Sequence, residues 1–225
     1  MTEGPGPDCP RCPRLVEFRR RYRHAEPQWH NAPVPSFGEL GAQLLIVGLA
    51  PGLKGANRTG RPFTGDYAGD LLYATLEKFE LATGAYGARA DDGFKLIDCR
   101  ITNAVRCVPP ENKPEPKEIA SCRSFLSEEI AAMPRLRVIL ALGAIAHGTV
   151  LGALGERKST YPFKHGAIHT LGTGTWLADS YHCSRYNTNT GVLTTEMFEA
   201  VFVEIRRRLK RGAEASGSRS QVGPS

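Results

Sequence analysis

Three side chains able to do bond-breaking chemistry stand out: Asn103 and His182 in or at the end of apolar runs, and Asp66 at the close of a glycine-rich run. His182 follows Thr175-Trp-Leu-Ala-Asp-Ser-Tyr181, and an imidazole at a strand end can donate to an oxygen that gains negative charge as a bond breaks. A lone histidine is more often satisfied structure than a catalyst; the strand end and the loop after it favour function here. Asn103 lies inside Ile101-Thr-Asn-Ala-Val-Arg-Cys107, where an amide is costly unless hydrogen-bonded. Its donor and acceptor together suit the Watson–Crick edge of a pyrimidine turned out of a helix, and closing a turn is the competing role. Asp66 can hold a water, cap a helix, or do both, and capping is the commoner habit.

Asp66 closes the run Gly48-Leu-Ala-Pro-Gly-Leu-Lys-Gly-Ala-Asn-Arg-Thr-Gly-Arg-Pro-Phe-Thr-Gly-Asp66, which follows the apolar Leu44-Leu-Ile-Val47. This is a strand's carboxyl end, where open α/β sheets place their ligands. The glycines, with Pro51 and Pro62, pack poorly but let backbone approach a phosphate or a base closely. The run has neither Gly-Lys-Ser/Thr nor G-x-G-x-x-G, which sets aside an ordinary nucleotide-binding protein. Downstream, Ser184, Arg185, Tyr186 and Asn187 make a polar, cationic and aromatic loop fit for phosphate contact and minor-groove insertion. The plainer reading is a helix-capping loop with Asn187 and Thr188 as turn residues.

Cys9 and Cys12 form a C-x2-C pair, and Cys107 and Cys122 are separated by fourteen residues. Four thiolates so spaced could converge on one metal centre. A structural zinc would more often show a second C-x2-C, whereas iron–sulfur clusters tolerate one close pair and two separated ligands. Spacing leaves three readings open: an iron–sulfur cluster, zinc, or unliganded core cysteines. Cys99 reads as core and Cys183 is left over, while Gly166 between His165 and His169 argues against a helical metal pair.

These residues need a frame, and the apolar runs supply one. Strands are expected at Leu44–Leu49, Ile101–Arg106, Arg137–Leu142 and Thr175–Ser180. Helices are expected from Asp66 with Leu72, Leu76 and Phe79 on one face, from Pro116 to Met133, from Ala144 to Leu154, and from Thr194 or Thr195 with Phe198, Phe202, Ile205 and Leu209 in step. Alternating strands and helices argue for a parallel sheet covered on both faces. With 225 residues and 41% hydrophobic content the chain can bury one full core, read as a domain over 9–210 between flexible ends at 1–8 and 211–225. A net charge of +6 suits a polyanionic partner. Apolar runs are strand-sized and nothing resembles a signal peptide, so the expectation is a cytoplasmic protein without a membrane association, whose six cysteines favour metal ligation over crosslinking.

Together the cysteine quartet, the Gly48 to Asp66 run, Asn103-Ala-Val-Arg-Cys-Val-Pro-Pro110 and the His182 motif resemble the uracil-DNA glycosylase superfamily, specifically the family 5 or type b enzymes. The likeness covers roughly residues 9 to 208. Family 4 usually reads Gly-Glu-Ala-Pro-Gly in the first motif, and Leu49 stands where that glutamate would be. One departure is Cys183, in place of the proline of the usual His-Pro-Ser, which removes a ring that would stiffen the loop.

The resemblance implies an α/β fold, a three-layer α/β/α sandwich with a central four-stranded parallel sheet, and a [4Fe-4S] cluster on Cys9, Cys12, Cys107 and Cys122. It implies monofunctional excision of uracil, and of other deaminated bases such as hypoxanthine, from double- or single-stranded DNA by a monomer acting in base excision repair. Gly48, Leu49, Ala50, Pro51, Gly52 and Phe63 would meet the base with Asn103 and His182. Lys54, Asn57, Arg58, Arg61, Ser184, Arg185, Tyr186 and Asn187 would meet the DNA. Asp66, Asn103 and His182 would carry catalysis. The alternatives are a non-catalytic iron–sulfur DNA-binding module and a strict, family 4-like uracil enzyme.

Overall fold

Leu44, Leu45, Ile46 and Val47 are apolar without alternation, the pattern of a strand covered on both faces, and all four are fully buried. A computed structural model, which describes residues 4–217 and side chains as far as residue 210, makes this run the interior of the sheet. In chain order the elements are α1 (Pro13–Ala25), β1 (Leu44–Gly48), α2 (Ala56–Thr59), α3 (Tyr67–Lys78), β2 (Ala82–Thr83), β3 (Lys95–Leu96) and β4 (Cys99–Asn103). They continue with α4 (Pro116–Ala131), β5 (Val138–Leu142), α5 (Ala144–Ala153), β6 (Ile168–Thr170), β7 (Trp176–Ser180), α6 (Arg185–Asn189) and α7 (Thr195–Gly217). The main sheet has the order β4-β1-β5-β7-β6, and β2 pairs with β3 as a separate two-stranded ribbon.

β4, β1, β5 and β7 run parallel, with Gly48 opposite Asn103 and Leu142 opposite Ser180 at their carboxyl ends. The sheet has five strands and not the expected four, because β6 adds antiparallel to β7 at the edge. Only residues 171–175 separate the two, and so short a connection permits a hairpin but not a parallel crossover. The strand expected over 101–106 lies at Cys99–Asn103 instead. Beyond it, Ala104 and Val105 donate in succession to the Gly48 and Leu49 carbonyls, which takes the chain out of ladder geometry.

β1 divides the core. Leu44 and Ile46 pack with Leu72, Leu76, Phe198 and Phe202 of α3 and α7, whereas Leu45 and Val47 pack with Leu126, Val150 and Leu151 of α4 and α5. The result is the three-layer sandwich. Asp66 caps α3, and α4 starts at Pro116 behind a reciprocal Glu115–Glu118 capping box. α7 runs on to Gly217, through the start of the expected tail; residues 1–3 and 218–225 of the two expected tails lie outside the described residues. Asp8 and the Pro7 carbonyl both accept from Arg23.

Candidate active site and cysteine centre

The loops leaving the carboxyl ends of β1, β4 and β7 enclose a cleft of about 580 Å³. Leu49, Ala50, Pro51, Gly52, Lys54, Phe63, Asp66, Asn103, His182, Ser184 and Arg185 line it. Residues from three distant segments thus meet because parallel strands end on one edge.

Asp66 both caps and faces the site. Its Oδ1 accepts from the Gly69 N–H at 3.2 Å, while Oδ2 lies so close to Gly52 and Gly55 that a Cβ at either would crowd it. Burial raises its pKa above the ordinary aspartate value, against the opposing pull of the Gly69 N–H. Asn103 is 3% exposed, and its Oδ1 has no hydrogen-bond partner, a state that costs about 1–3 kcal/mol. Gly48 makes room for it: a Cβ there would stand 2.5 Å from that oxygen and 2.6 Å from the Phe63 ring.

Phe63 stacks on His182 with ring centroids 5.9 Å apart. Its φ of 53° is left-handed, a strained conformation for a phenylalanine that the surroundings must enforce. They do so from both sides. Tyr73 donates to the Pro62 carbonyl at 2.6 Å, and the Tyr86 hydroxyl accepts from Gly65 N–H and donates to the Phe63 carbonyl. Gly69 of α3 leaves space for that carbonyl.

Burial holds the His182 pKa below its ordinary value, which favours a neutral ring. The Asn187 amide fixes its backbone by donating to the His182 carbonyl at 2.8 Å, and Ser184 caps α6 by accepting from Asn187 N–H. Cys183, where a proline was expected, is fully buried and donates to the Ala68 carbonyl of α3 at 3.4 Å. A buried thiol therefore anchors the loop where a proline would have stiffened it.

Lys54, Arg58 and Arg185 are exposed, and Tyr186 is 74% exposed beside them. Arg185 lies over the Tyr67 ring at 5.4 Å. Two residues expected to meet DNA do not reach solvent. Arg61 is 4% exposed, spends both Nη atoms on Asp92 at 2.7 Å and its Nε on Thr64, and is ringed by Phe37, Tyr73, Tyr86 and Phe94. Asn57 is 1% exposed and donates to Asn31 at 2.9 Å. Both hold the loop from within. Tyr67, Ala68 and Asn112 line the cleft without having been anticipated. Asn112 has φ of 56°, and asparagine after Pro109-Pro110 is the one hint of a turn presenting it.

Cys9, Cys12, Cys107 and Cys122 line a single pocket with Leu15, Val105 and Phe125. Among the described residues no three His, Cys, Asp or Glu converge closely enough for one metal ion. The thiols surround a space instead. Arg106 N–H donates to Cys122 Sγ at 3.4 Å and Arg19 to Cys107 Sγ at 3.3 Å. Burial pushes Cys12 and Cys122 up and Cys107 up to about 12, so filling the centre with a cation releases protons. An all-sulfur, apolar, N–H-bearing pocket fits a thiolate-held iron–sulfur group.

A parallel sheet whose carboxyl edge gathers a carboxylate, an amide, an imidazole and a stacking ring beneath a cationic rim defines an α/β enzyme for a flat heterocycle on an anionic chain. The family model described as Uracil DNA glycosylase superfamily matches residues 35–206, and the chain belongs to that superfamily. It is 46% identical to a Type-5 uracil-DNA glycosylase of Thermus thermophilus over 88% of this chain and 93% of the relative. It is 40% identical to a Type-5 uracil-DNA glycosylase of Pyrobaculum aerophilum over 93% and 90%, respectively. A Type-4 uracil-DNA glycosylase of Pyrobaculum aerophilum is 34% identical over 67% of this chain and 63% of the relative.

Proposed function

We propose that the chain is a monofunctional DNA glycosylase of the type-5 kind, hydrolysing the N-glycosidic bond of deoxyuridine in single- or double-stranded DNA and leaving an abasic site. The observation that carries this is the cleft uniting Asp66, Asn103, His182 and Phe63 under Lys54 and Arg185. Exposed cations hold phosphates while the target nucleotide rotates out of the stack. Phe63 stacks on the extruded base. The open Oδ1 of Asn103 accepts from the base N3–H, and its amide donates to O4.

As the C1′–N1 bond lengthens, its electron pair goes to the base and the sugar becomes oxocarbenium-like. Neutral His182 donates an N–H hydrogen bond to O2, stabilising the departing anion. A water held by Asp66 Oδ2 adds to C1′ and gives its proton to the carboxylate, whose raised pKa makes it a better base. A cleft of this volume also admits hypoxanthine, and no polar side chain at Leu49 or Ala50 opposes it. The enzyme works as a cytoplasmic monomer.

Cys9, Cys12, Cys107 and Cys122 hold a [4Fe-4S] cluster that fastens α1 and the segment after β4 to the start of α4, with no part in the glycosidic step. Anaerobically purified protein is to be incubated with labelled duplexes carrying U:G, U:A or hypoxanthine:T and then treated with alkali. Scission only after alkali is the expected result, and no scission in any duplex overturns the reading. His182→Ala and Asp66→Asn each lose about 10²–10³ in kcat, the scale of one preorganised group.

A further inference from the structure

Arg19 is a buried charge with no ion-pair partner among the described residues. It sits on α1 at 2% exposure, and among the described residues no carboxylate lies within ion-pair distance of it. Its Nη1 donates to Cys107 Sγ at 3.3 Å and its Nη2 to the Cys9 carbonyl at 3.1 Å, so the guanidinium bridges the two ends of the cysteine centre. Its Nε–H is buried with no partner. Among the described residues the other two buried arginines are each answered by an acid: Arg61 by Asp92, and Arg106 by Glu129. A guanidinium cannot shed its proton, and an unanswered one in the interior is strongly destabilising. The anomaly disappears if the centre it lines carries net negative charge.

We infer that Arg19 is the built-in counter-ion of an anionic iron–sulfur group at Cys9, Cys12, Cys107 and Cys122, and a positioning residue that governs how firmly that group is held and at what potential it is reduced. This rests on the cluster reading above. Four thiolates on a [4Fe-4S] core of charge +2 leave a net −2; Arg19 donates to the Cys107 sulfur and the Arg106 N–H to that of Cys122, and of these two donors only the Arg19 guanidinium carries charge. A guanidinium suits the place better than an ammonium, because its fork reaches a sulfur and a carbonyl at once. Removing it leaves the anionic group less stabilised, and the more reduced, more negative state suffers most, so the potential falls.

The test compares the anaerobically purified wild-type chain with Arg19→Lys and Arg19→Met. It reads iron and acid-labile sulfide per chain, the rate of iron loss to a chelator, and the reduction potential. The wild type is expected to contain iron and sulfide, Arg19→Met to lose iron about 10–100-fold faster with a lowered potential, and Arg19→Lys to fall between them. Zinc, or no metal, in the wild type overturns the cluster reading and this inference with it. Iron and sulfide in the wild type, with both variants matching it in iron loss and potential, overturns the role of Arg19 alone. If Arg19→Met does not fold, Arg19→Lys decides: faster iron loss and a lower potential support the inference, and wild-type values overturn it.

Discussion

Asn103 carries a stability cost at the place where the proposed reaction needs a hydrogen-bond acceptor. Among the described residues its buried Oδ1 has no partner, a penalty of about 1–3 kcal/mol that a base N–H entering the cleft would relieve. Asn103→Leu is therefore expected to leave the melting temperature unchanged or raise it, while kcat/KM for uracil excision falls about tenfold to hundredfold; a variant that loses activity and stability in parallel would count against this. Asp66 gives a pH signature. The carboxylate form accepts the proton, burial raises its pKa, and so activity is lost as pH falls through a value above the usual aspartate range. Burial lowers the His182 pKa and so favours its neutral form, and an acid limb set by Asp66 should vanish from the residual rate of Asp66→Asn. Asn103 and His182 could be placed at one sheet edge from the sequence because each stands at the end of an apolar run, whereas Asp66 and Phe63 lie well beyond β1 and were placed by the glycine-rich run and the family resemblance. The burial of Arg61 and Asn57 was not legible, because what removes them from solvent, Asp92 and Asn31, lies far off in the chain.

At the scale of elements, the segment between β2 and β3 matters more than its irregularity suggests. It supplies Tyr86 and Asp92, which hold the strained backbone of 61–65 and so place the Phe63 ring. Tyr86→Phe removes one hydroxyl and is expected to cost about 1 kcal/mol of stability and to raise KM more than it changes kcat. In a Phe63→Leu background the same change should have no further effect on KM; additive effects in kinetic assays of the four proteins would show that Tyr86 does not act through Phe63. Helices α3, α4, α5 and α7 could be read from caps and apolar spacing. α1 could not: its sequence carries Arg14, Arg19, Arg20, Arg21 and Arg23, its fully buried face is Leu15 and Arg19, and an arginine on the inner side erases the usual pattern. The short β2, β3 and β6 bury too few residues for periodicity to register.

For the whole molecule, two buried ion pairs on opposite parts of the sheet make stability depend on pH in opposite directions. Beside β4, Glu129 accepts from Arg100, Thr102 and Arg106; burial pushes its carboxyl up, but the arginines outweigh that and the net direction is down. Stability from this group is present above the unfolded glutamate value and is lost as pH falls through the folded one. At the other edge, His147 of α5 bonds Asp179 Oδ1 of β7 through Nδ1 at 2.7 Å and the Tyr161 carbonyl through Nε2 at 2.8 Å. A carbonyl and a carboxylate both accept, so this geometry suits the cationic ring, with hydrogen on both nitrogens. Burial pulls the His147 pKa down, yet the Asp179 bond and charge prevail and the net direction is up, with Lys158 opposing. Its contribution is fully present below the unfolded histidine value of about 6.5 and is lost as pH rises through the higher folded one. His147 therefore contributes a decline in stability from pH 6 to pH 8.5, as α5, β7 and the 161–164 segment lose their common tie, while His165 and His182, whose pKa values burial lowers, contribute in the opposite direction. In His147→Gln, which can hydrogen-bond but not charge, calorimetry should find a larger loss of melting temperature relative to the wild type at pH 6 than at pH 8.5; an equal loss at the two pH values would show that the charge of His147 contributes nothing.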